Sequence, residues 1–467
     1  MTMKKLLFFI AALLLTHLPM RAEGGTCGTN LTWDLTGGTL TISGTGDMTD
    51  FLTSKSDAPW KYVSSPINKL VVEDGVTSIG WGAFYDCSTL TSISIPESVT
   101  NIEGEAFKGT AWYDSQPDGL VYAGKVAYHY KGELQSPDIT LKEGTTGIGA
   151  YAFANYFDLA SITIPSSVKR IGSFAFSYCY SLASVKIPNS VTDIEMGAFE
   201  SCEGLTSLTI SNSVTKIKNY SFGGCSALTS LTIPENVTSI EDGAFAGLNS
   251  LTTLTIPNNV TSLDYGAFMG CGMTSLVIGS GMHYIGAEVF KGCPNLTDVT
   301  CLAKVVAIKY GKEGMFAGKN AFNDTNIENC TLHVPESLIG TYSSTVPWSG
   351  FKNFVALDED EIPVTPKCAT PTITYKDGKV AFSCDTEGAE FISEISVPTT
   401  TKKYDREISL SISCIVTVYA TKPGYLNSDR MSIKIQANNG IVGDVDGNGV
   451  VNVADHVRLS EIIMNQK

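Results

Sequence analysis

Oxygen-bearing side chains recur at every second position near the end of the chain, in GDVDGNGVVNVAD from Gly443 to Asp455. Calcium takes about six to eight oxygen ligands, and a loop can supply them from positions 1, 3, 5, 7, 9 and 12. Gly449 falls at position 6, where such a loop turns sharply, and Val450 at position 7 offers its backbone carbonyl. The pattern predicts a Ca2+ site, against the plain alternative of an acidic flexible tail. The predicted ligands are Asp444, Asp446, Asn448, Val450, Asn452 and Asp455.

The sequence carries no usual signature of a catalytic site. We find no GxSxG, no HExxH, no glycine-rich phosphate loop and no paired cysteine motifs at zinc spacing. The histidines that could act as bases are scattered: His129, His283, His333 and His456. Two carboxylates that cleave a glycosidic bond would have no sequence signature of their own. The sequence therefore favours a binding protein over an enzyme.

Charge and composition limit the classes of partner. Of 467 residues, 47 are acidic and 32 are basic, which gives a net charge of -15 and a pI of about 4.8. Such a surface repels phosphate backbones and anionic lipid, so nucleic acid is not an expected partner. Apolar residues make up 43% of the chain, which is enough to build a large core.

The first 22 residues are typical of a secretory signal peptide. Lys4 and Lys5 precede the apolar run Leu6–Leu15, and a more polar stretch continues to Ala22. An apolar run of this length is too short to span a bilayer, and no later segment is long enough to do so. We expect residues 1–22 to be removed and the mature protein to be secreted, unless something else holds it at the cell surface.

The middle of the chain repeats every 23 residues. LTSLTISNSVTKIKNYSFGGCSA from Leu205 is followed by LTSLTIPENVTSIEDGAFAGLNS from Leu228. A fixed period in this range indicates a solenoid, in which each coil buries its apolar row against the next. Alternation in LTSLTI predicts one short strand per coil, stacked about 4.8 Å apart in a parallel ladder, and the rest of the coil suits short turns or a brief helix. The anchoring aromatics are Phe84, Phe107, Phe153, Phe176, Phe199, Phe222, Phe245, Phe268 and Phe290.

Atypical units close both ends of the repeat region. Residues 23–68 show strand alternation and turn glycines without the 23-residue phase, which predicts an N-terminal β cap. The solenoid covers 69–357 and ends in an aromatic-rich segment around Trp348 and Phe351. Such caps are required because a bare solenoid end exposes core and an unpaired strand edge.

The predicted strands show mostly serine and threonine outward. Side chains two apart on a strand share a face, so successive coils align these residues into two long polar rows. A broad, nearly uncharged face without a pocket suits a large partner held by many weak contacts. The alternative is that serine and threonine simply suit exposed strands. The candidate binding residues are Ser184, Lys186, Ser207, Thr209, Ser230, Thr232, Thr253 and Thr255.

One interval between anchoring aromatics is doubled. From Phe107 to Phe153 the chain runs 46 residues, and the repeat is blurred in AWYDSQPDGLVYAGKVAYHYKGE, although Tyr130 keeps the place of the aromatic. Exposed aromatic rings can stack on sugars, but rings can also pack on one another and on the solenoid flank. The second set of candidate binding residues is Trp112, Tyr113, Tyr122, Tyr128 and Tyr130.

The repeat consensus L-T-S-L-T-I-P-x-S-V-T-x-I-x-x-G-A-F-x-G-C resembles the BspA-type leucine-rich repeats of bacterial surface proteins. The resemblance covers about Cys27 to Leu357, including both ends. It implies a mainly β solenoid with an adhesive or binding role, and a host or neighbouring-cell protein as partner. It brings no catalytic residues with it.

Six cysteines occupy one slot of the repeat, three residues after the aromatic. Stacked Cβ vectors point the same way rather than at each other, which disfavours disulfides between coils. We expect free thiols that fill a small apolar slot, as Leu248 does in its own coil. The six are Cys87, Cys179, Cys202, Cys225, Cys271 and Cys293. In the next domain, a disulfide between Cys384 and Cys414 is an open alternative.

Three further segments follow the solenoid. Residues 358–370 are acidic and proline-rich, which is typical of a stiff linker. Short alternating segments over 371–438 predict a small β-sandwich of immunoglobulin or fibronectin type III character, similar to modules appended to bacterial surface proteins. Residues 439–467 hold the calcium loop and a predicted helix.

The calcium loop resembles half of a type I dockerin, with aspartate rather than glutamate at its last position, Asp455. Dockerins use two such loops to bind cohesins, whereas this chain has one, and Val453-Ala454 replaces the small polar pair often found there. The resemblance implies a cohesin-like partner or docking on the sandwich domain. Two hypotheses follow: an adhesin-like surface protein or, as the alternative, a glycan-capturing surface protein of a polysaccharide-degrading system, assembled through the calcium module.

Overall fold

The structure is a computed structural model that describes a large part of the chain. The described residues are 23–51, 58–63, 65–303, 316–318, 320–357, 369–376, 379–387, 390–396, 413–421 and 431–436. The chain divides into two compact units, Met1–Asp360 and Glu361–Lys467. The predicted signal peptide, nearly all of the predicted linker and the calcium loop with its helix lie outside the described residues.

The first unit opens with a three-stranded antiparallel meander. Its strands are β1 (Glu23–Gly28), β2 (Leu31–Thr36) and β3 (Thr39–Gly44). β3 then pairs in parallel with the first strand of the repeats, so the meander covers the edge of the solenoid ladder. A 3-10 helix at Pro59–Tyr62 buries Trp60, whose ring stacks on Phe84 with centroids 5.3 Å apart.

The LTSLTI half of the repeats forms the first of two parallel ladders, as the alternation predicts, except in the coil that begins at Leu228. Register follows the sequence period, with Ser184 opposite Ser207 and Leu254 opposite Leu276. This first ladder contains β5 (Lys69–Val72), β7 (Ser92–Ser94), β11 (Asp138–Thr140), β13 (Ser161–Thr163), β15 (Ser184–Lys186), β17 (Ser207–Thr209), β20 (Thr253–Ile256), β22 (Ser275–Ile278), β24 (Asp298–Cys301), β26 (Thr331–Pro335) and β27 (Asn353–Leu357). The predicted solenoid is confirmed.

A second ladder runs along another side of the coils, where the sequence predicted only turns or a brief helix. Each strand is short because only one residue per coil, such as Ile217 or Ile240, points inward there. The members are β4 (Gly46–Asp47), β6 (Val76–Ile79), β8 (Asn101–Ile102), β12 (Gly147–Ile148), β14 (Arg170–Ile171), β16 (Asp193–Ile194), β18 (Lys216–Ile217), β19 (Ser239–Ile240), β21 (Ser262–Leu263), β23 (Tyr284–Ile285) and β25 (Phe316–Ala317).

The turn around each anchoring aromatic forms a third stack of bonds, called here the turn ladder. In one coil the N–H groups of Gly243, Phe245 and Gly247 donate to carbonyls of the next coil over 2.9, 2.8 and 2.7 Å. The residues two before and two after the aromatic lie in the left-handed region, with φ of 58° at Gly243 and 75° at Gly247. Glycine adopts this conformation without steric cost, which explains both glycines of G-A-F-x-G-C.

A β-hairpin fills the doubled interval. The short helix α1 (Ala111–Asp114) leads into antiparallel β9 (Gly119–Ala123) and β10 (Val126–Lys131), and β10 pairs in parallel with β12. The Tyr130 N–H donates to the Ala152 carbonyl over 2.8 Å, as an anchoring phenylalanine does. The prediction that Tyr130 keeps the repeat phase is therefore confirmed.

The far end of the solenoid is closed by helix α2 (Ile339–Ser344) and by 3-10 turns at Ile327–Asn329, Glu336–Leu338 and Trp348–Gly350. The Trp348 ring lies 5.4 Å from Phe322 and 5.2 Å from Tyr342, and all three rings are buried. Aromatic side chains thus cover the last apolar coil.

The solenoid interior is a column of aromatic rings flanked by thiols. Phe153, Phe176, Phe199, Phe222 and Phe245 are fully buried and stack with centroids 5.0 to 5.5 Å apart. The predicted cysteine slot is confirmed, since the cysteines in it are free and buried except Cys87, which is half-buried. Cys202 Sγ donates to the Phe176 carbonyl over 3.2 Å.

The described residues of the second unit form two antiparallel sheets. One pairs β28 (Thr372–Lys376) with β29 (Lys379–Ser383), and the other joins β30 (Glu390–Ser396), β31 (Ser413–Thr421) and β32 (Met431–Gln436). The assignment to a fibronectin-like sandwich stays a prediction. Cys384 is a free thiol whose Sγ donates to the Ala369 carbonyl over 3.2 Å, so the alternative of a disulfide to Cys414 is wrong.

Candidate partner-binding face

The threonines of the repeat consensus fall into two groups with different contacts. In several coils the threonine just before the strand of the first ladder bonds to the preceding coil. Thr206 Oγ1 donates to the Ala183 carbonyl and Thr274 Oγ1 to the Thr252 carbonyl, both over 3.1 Å. These hydroxyls hold coil to coil and are not available to a ligand.

The eight candidate binding residues make no such bond. All eight candidate side chains are exposed, and within the described residues none has a side-chain hydrogen bond or an ion pair. Parallel register brings Lys186 beside Thr209 and Thr253 beside Ser275. We call this surface the strand face; it comprises Ser184, Lys186, Ser207, Thr209, Ser230, Thr232, Thr253 and Thr255.

The strand predicted through Ser230 and Thr232 is not formed. Residues 229–233 are described without strand pairing, and the first ladder is divided there between β17 and β20. Ser230 and Thr232 are nevertheless exposed, whereas Ile233 is buried. Inward and outward alternation is set by burial of the apolar side chains, so the polar rows continue where ladder bonds are missing.

Two of the five candidate aromatics in the doubled interval lie in the core. Tyr128 is 4% exposed and Tyr130 is 3% exposed, so neither ring presents a face on which a sugar could stack. The Tyr128 hydroxyl accepts the Phe107 N–H over 3.0 Å, and its ring packs edge-on against Phe107. These two tyrosines are therefore core residues that stabilise the fold, not binding residues.

The other three candidate aromatics in the doubled interval are half-buried and contact neighbouring side chains. Trp112 packs edge-on against the core phenylalanine Phe107, with centroids 5.1 Å apart. The Tyr113 hydroxyl bonds His129 Nδ1 over 2.8 Å, and burial raises the pKa of Tyr113 to about 12. Lys142 Nζ lies 4.5 Å from the centre of the Tyr122 ring. Each of these rings is therefore packed against a neighbouring side chain rather than left as an open platform.

The outward residues of the second ladder form an ion cluster. Glu195 is 8% exposed, and its carboxylate accepts bonds from Arg170 Nε and Lys218 Nζ, both over 2.7 Å. Nearby, Asn101 Nδ2 donates to Glu103 over 2.6 Å, yet burial raises the pKa of Glu103. These groups lie on four different coils, so no local sequence pattern reveals them.

Three exposed aromatics lie on the turn side, where the sequence predicts no binding residue. Phe157, Tyr178 and Tyr180 are 50%, 39% and 41% exposed. They follow the anchoring aromatics Phe153 and Phe176 by two or four residues. With Glu200 and Glu203 of the next coil they form what we call the turn patch. The sequence does carry a signal that could have found them: these aromatics occupy places in the repeat where most other coils carry small residues.

Sequence comparison gives the repeats a family. A model described as "BspA type Leucine rich repeat region" matches the chain in six copies, over residues 60–135, 115–229 and 215–343. These ranges cover more than half of the 467 residues. The chain belongs to this family.

Solved structures similar to the BspA-type chain include three bacterial proteins. A leucine-rich repeat protein from Eubacterium ventriosum ATCC 27560 is 24% identical, with a TM-score of 0.30, over 67% of this chain and 78% of that one. The pneumococcal vaccine antigen PcpA is 15% identical, with a TM-score of 0.35, over 72% and 99%. A leucine rich cell surface protein from Faecalibacterium prausnitzii A2-165 is 19% identical, with a TM-score of 0.24, over 74% and 96%. No curated protein matches the chain significantly.

Metal and membrane features can be stated for the described ranges alone. Within them, no three histidine, cysteine, aspartate or glutamate side chains come together as a metal site. In the same part of the BspA-type chain, no helix has the length and apolar character needed to cross a bilayer. The six predicted calcium ligands fall outside these ranges.

Proposed function

We propose that this BspA-type protein is a secreted or surface-held, adhesin-like binding protein, not an enzyme, and that its strand face holds a protein of a host or neighbouring cell. One observation carries the proposal: aligned hydroxyl groups without internal partners run across successive coils. Hydrogen-bonding groups left free on a regular surface can pair with a partner's polar groups over a wide area. Membership of a family of repeat proteins supports the same role.

Charge placed on the strand face tests this proposal. Thr209→Glu with Thr232→Glu adds two negative charges to the proposed contact surface. Ser239→Glu with Ser262→Glu is the matched control, since these residues face each other in register in the second ladder. An array of matrix proteins and polysaccharides should show a protein ligand that binds the wild type and the control pair but not the strand-face pair.

Two results would contradict the proposal. Equal binding by both double variants would move the site away from the strand face. Binding to polysaccharides alone would favour the glycan-capturing alternative, although the burial of Tyr128 and Tyr130 already removes two of its proposed stacking residues.

We also propose that the loop from Asp444 to Asp455 binds one Ca2+ ion and orders the helix after it, for docking on a cohesin-like partner or on the second unit. The support is the ligand spacing in the sequence. Carboxylates gathered at one point repel each other until a cation is bound. Calorimetry on the full chain should show one site, and Asp446→Ala should abolish it. If the Asp446→Ala variant released the same heat as the wild type on addition of Ca2+, the assignment would be wrong.

A further inference from the structure

We propose that the turn patch binds a cationic, arginine-bearing segment of a protein partner. The patch consists of Phe157, Tyr178, Tyr180, Glu200 and Glu203. It lies beside the turn ladder and shares no residue with the strand face. The inference therefore goes beyond the proposed function and does not depend on it.

The three rings form an exposed stack. Phe157 and Tyr180 lie nearly parallel, with centroids 5.1 Å apart and an interplanar angle of 13°. Tyr178 meets Tyr180 edge-on at 6.2 Å. A solvent-exposed aromatic stack leaves ring faces and edges that water solvates poorly, and aromatic residues are enriched where proteins bind one another.

Folding of the coil does not require these side chains. Four residues after the anchoring aromatic, where Phe157 and Tyr180 stand, later coils carry Ser226 and Asn249. Two residues after it, where Tyr178 stands, Gly224 and other glycines serve. The same backbone is thus built with small residues elsewhere in the chain.

Tyr178 is also held in an unfavourable conformation. Its φ is 61°, in the left-handed region, where a bulky side chain crowds its own backbone. Glycine would fit this position without that cost. The repeat imposes this conformation, which Asp86, Asn155 and Ser201 also adopt in the same slot, but a tyrosine is bulkier than this slot requires.

Two acidic residues belong to the coil that follows these rings. Glu203 occupies in the next coil the same slot as Tyr180, and the Tyr178 N–H donates to the Glu200 carbonyl over 2.8 Å. Burial raises the pKa of Glu200, so its carboxylate lacks part of its hydration. Within the described residues neither carboxylate has an ion pair or a side-chain hydrogen bond. A cation over Tyr180 would gain both the ring face and the Glu203 carboxylate of the neighbouring coil.

Elsewhere the chain supplies its own cations to tyrosine rings. Lys61 and Lys108 lie 5.3 and 5.8 Å from the centre of the Tyr85 ring, and Lys131 lies 5.4 Å from that of Tyr113. In the described part of the chain no cation lies over the turn patch. A cation over the turn patch would therefore come from a partner. Arginine suits the site because its planar guanidinium stacks on aromatic faces and pairs carboxylates bidentately.

The test is a titration of the full-length protein with a fluorescein-labelled peptide, (Arg-Gly-Ser)3. A peptide with citrulline in place of arginine is the control, since citrulline has nearly the same shape and no charge. The wild type should bind the arginine peptide and not the citrulline peptide. Tyr180→Ser should weaken binding about 5-fold, and Glu203→Gln should weaken it less.

These variants should remain folded, so a loss of binding can be assigned to the missing side chain. Tyr180→Ser places in this coil the residue that stands at Ser226, and Tyr178→Gly places the residue that stands at Gly224. Tyr265→Ser changes another exposed tyrosine four coils further on and should leave binding unchanged. Circular dichroism melting should show all three variants folded.

Several outcomes would overturn the inference. Equal binding of the citrulline peptide, or unchanged binding by Tyr180→Ser, would show that no cation sits on the ring. Absence of peptide binding by the wild type would do the same. If Tyr180→Ser instead abolished binding of cellohexaose, the patch would be a sugar platform. Thr209→Glu with Thr232→Glu should not weaken peptide binding. The peptide titration therefore tests the turn patch alone, and the strand-face proposal can fail without changing its result.

Discussion

The two ladders belong to the same coils, yet their outward faces differ in how their polar groups are used. On the first ladder, Ser207 and Thr209 are exposed and make no side-chain bond in the described part of the chain. On the second, Glu195 is buried between Arg170 and Lys218. Groups that already have partners have little to offer a ligand. The difference suggests that the first ladder is kept open for binding and that the second contributes stability.

The largest expected effect comes from the interior that both faces share. Cys202→Asp places a carboxylate in a fully buried slot, where neither the Phe176 carbonyl nor the neighbouring thiols can compensate its charge. Burial of an unpaired charge should cost about 3 kcal/mol or more, and both faces of that coil should be lost. Urea unfolding measures the loss. Cys202→Ala is the control and should cost about 1 kcal/mol, because it leaves only a small void. A stable Cys202→Asp protein would show that the slot is open to water.

The ion cluster should show the next largest effect. Glu195→Ala leaves Arg170 and Lys218 without their anion, and removing one member of a buried pair costs about 3 to 5 kcal/mol. Because the side chains of Arg170 and Lys218 are 25% and 28% exposed, we expect about 2 kcal/mol. Chemical denaturation measures it, with Glu195→Gln expected to lose less because its amide oxygen still accepts a bond. A loss no greater than that of an ordinary surface mutation would remove the contrast between the ladders.

The two cations of the cluster should differ. Arg170 reaches one Glu195 oxygen through both Nε and a terminal nitrogen, whereas Lys218 makes a single contact at 2.7 Å. Lys218→Met keeps the alkyl stem and removes the charge, and should cost about 0.5 to 1 kcal/mol. Arg170→Met, measured in the same denaturation series, should cost more. The reverse order would show that the lysine is the main partner.

The smallest effect on stability is expected on the strand face. Thr209→Glu with Thr232→Glu changes exposed residues without internal bonds, so the free energy of unfolding should move by about 0.5 kcal/mol or less. Thermal melting at moderate salt measures the shift. A strongly destabilised double variant would mean that the outward hydroxyls support the coils, and the strand face would then resemble the second ladder.

The sequence predicts most of the solenoid because its signals are periodic. The aromatic column, the cysteine slot and the phase kept by Tyr130 each repeat at a fixed interval, and a fixed interval places residues in one row. The second ladder is not predictable in the same way. Its strands, such as Lys216–Ile217, are too short to show alternation. The strand through Ser230 is the opposite case, where alternation is present and the ladder bonds are not.

Side-chain contacts between neighbouring coils also escape the sequence. Glu195 meets Arg170 from a coil 25 residues away, and any of several acidic residues could have done so by spacing alone. Tyr128 and Tyr130 illustrate the limit for aromatics, since a tyrosine-rich excursion reads the same whether its rings face water or the core. The hairpin buries these two rings, because β10 takes the place of a coil and must fill its interior.

The turn ladder is electrically polar along the axis of the coils. In ordinary sheets the peptide dipoles of neighbouring groups largely cancel. In the turn ladder every bond between coils points the same way, since Gly243, Phe245 and Gly247 all donate forward to the next coil. Dipoles aligned head to tail add, as they do in an α-helix. On the second ladder the N–H groups of Thr238 and Glu241 donate the other way, to the Thr215 and Ile217 carbonyls of the preceding coil. The two sides of one coil therefore carry opposed backbone dipoles, and the turn side keeps its own polarity even where it has no charged side chain.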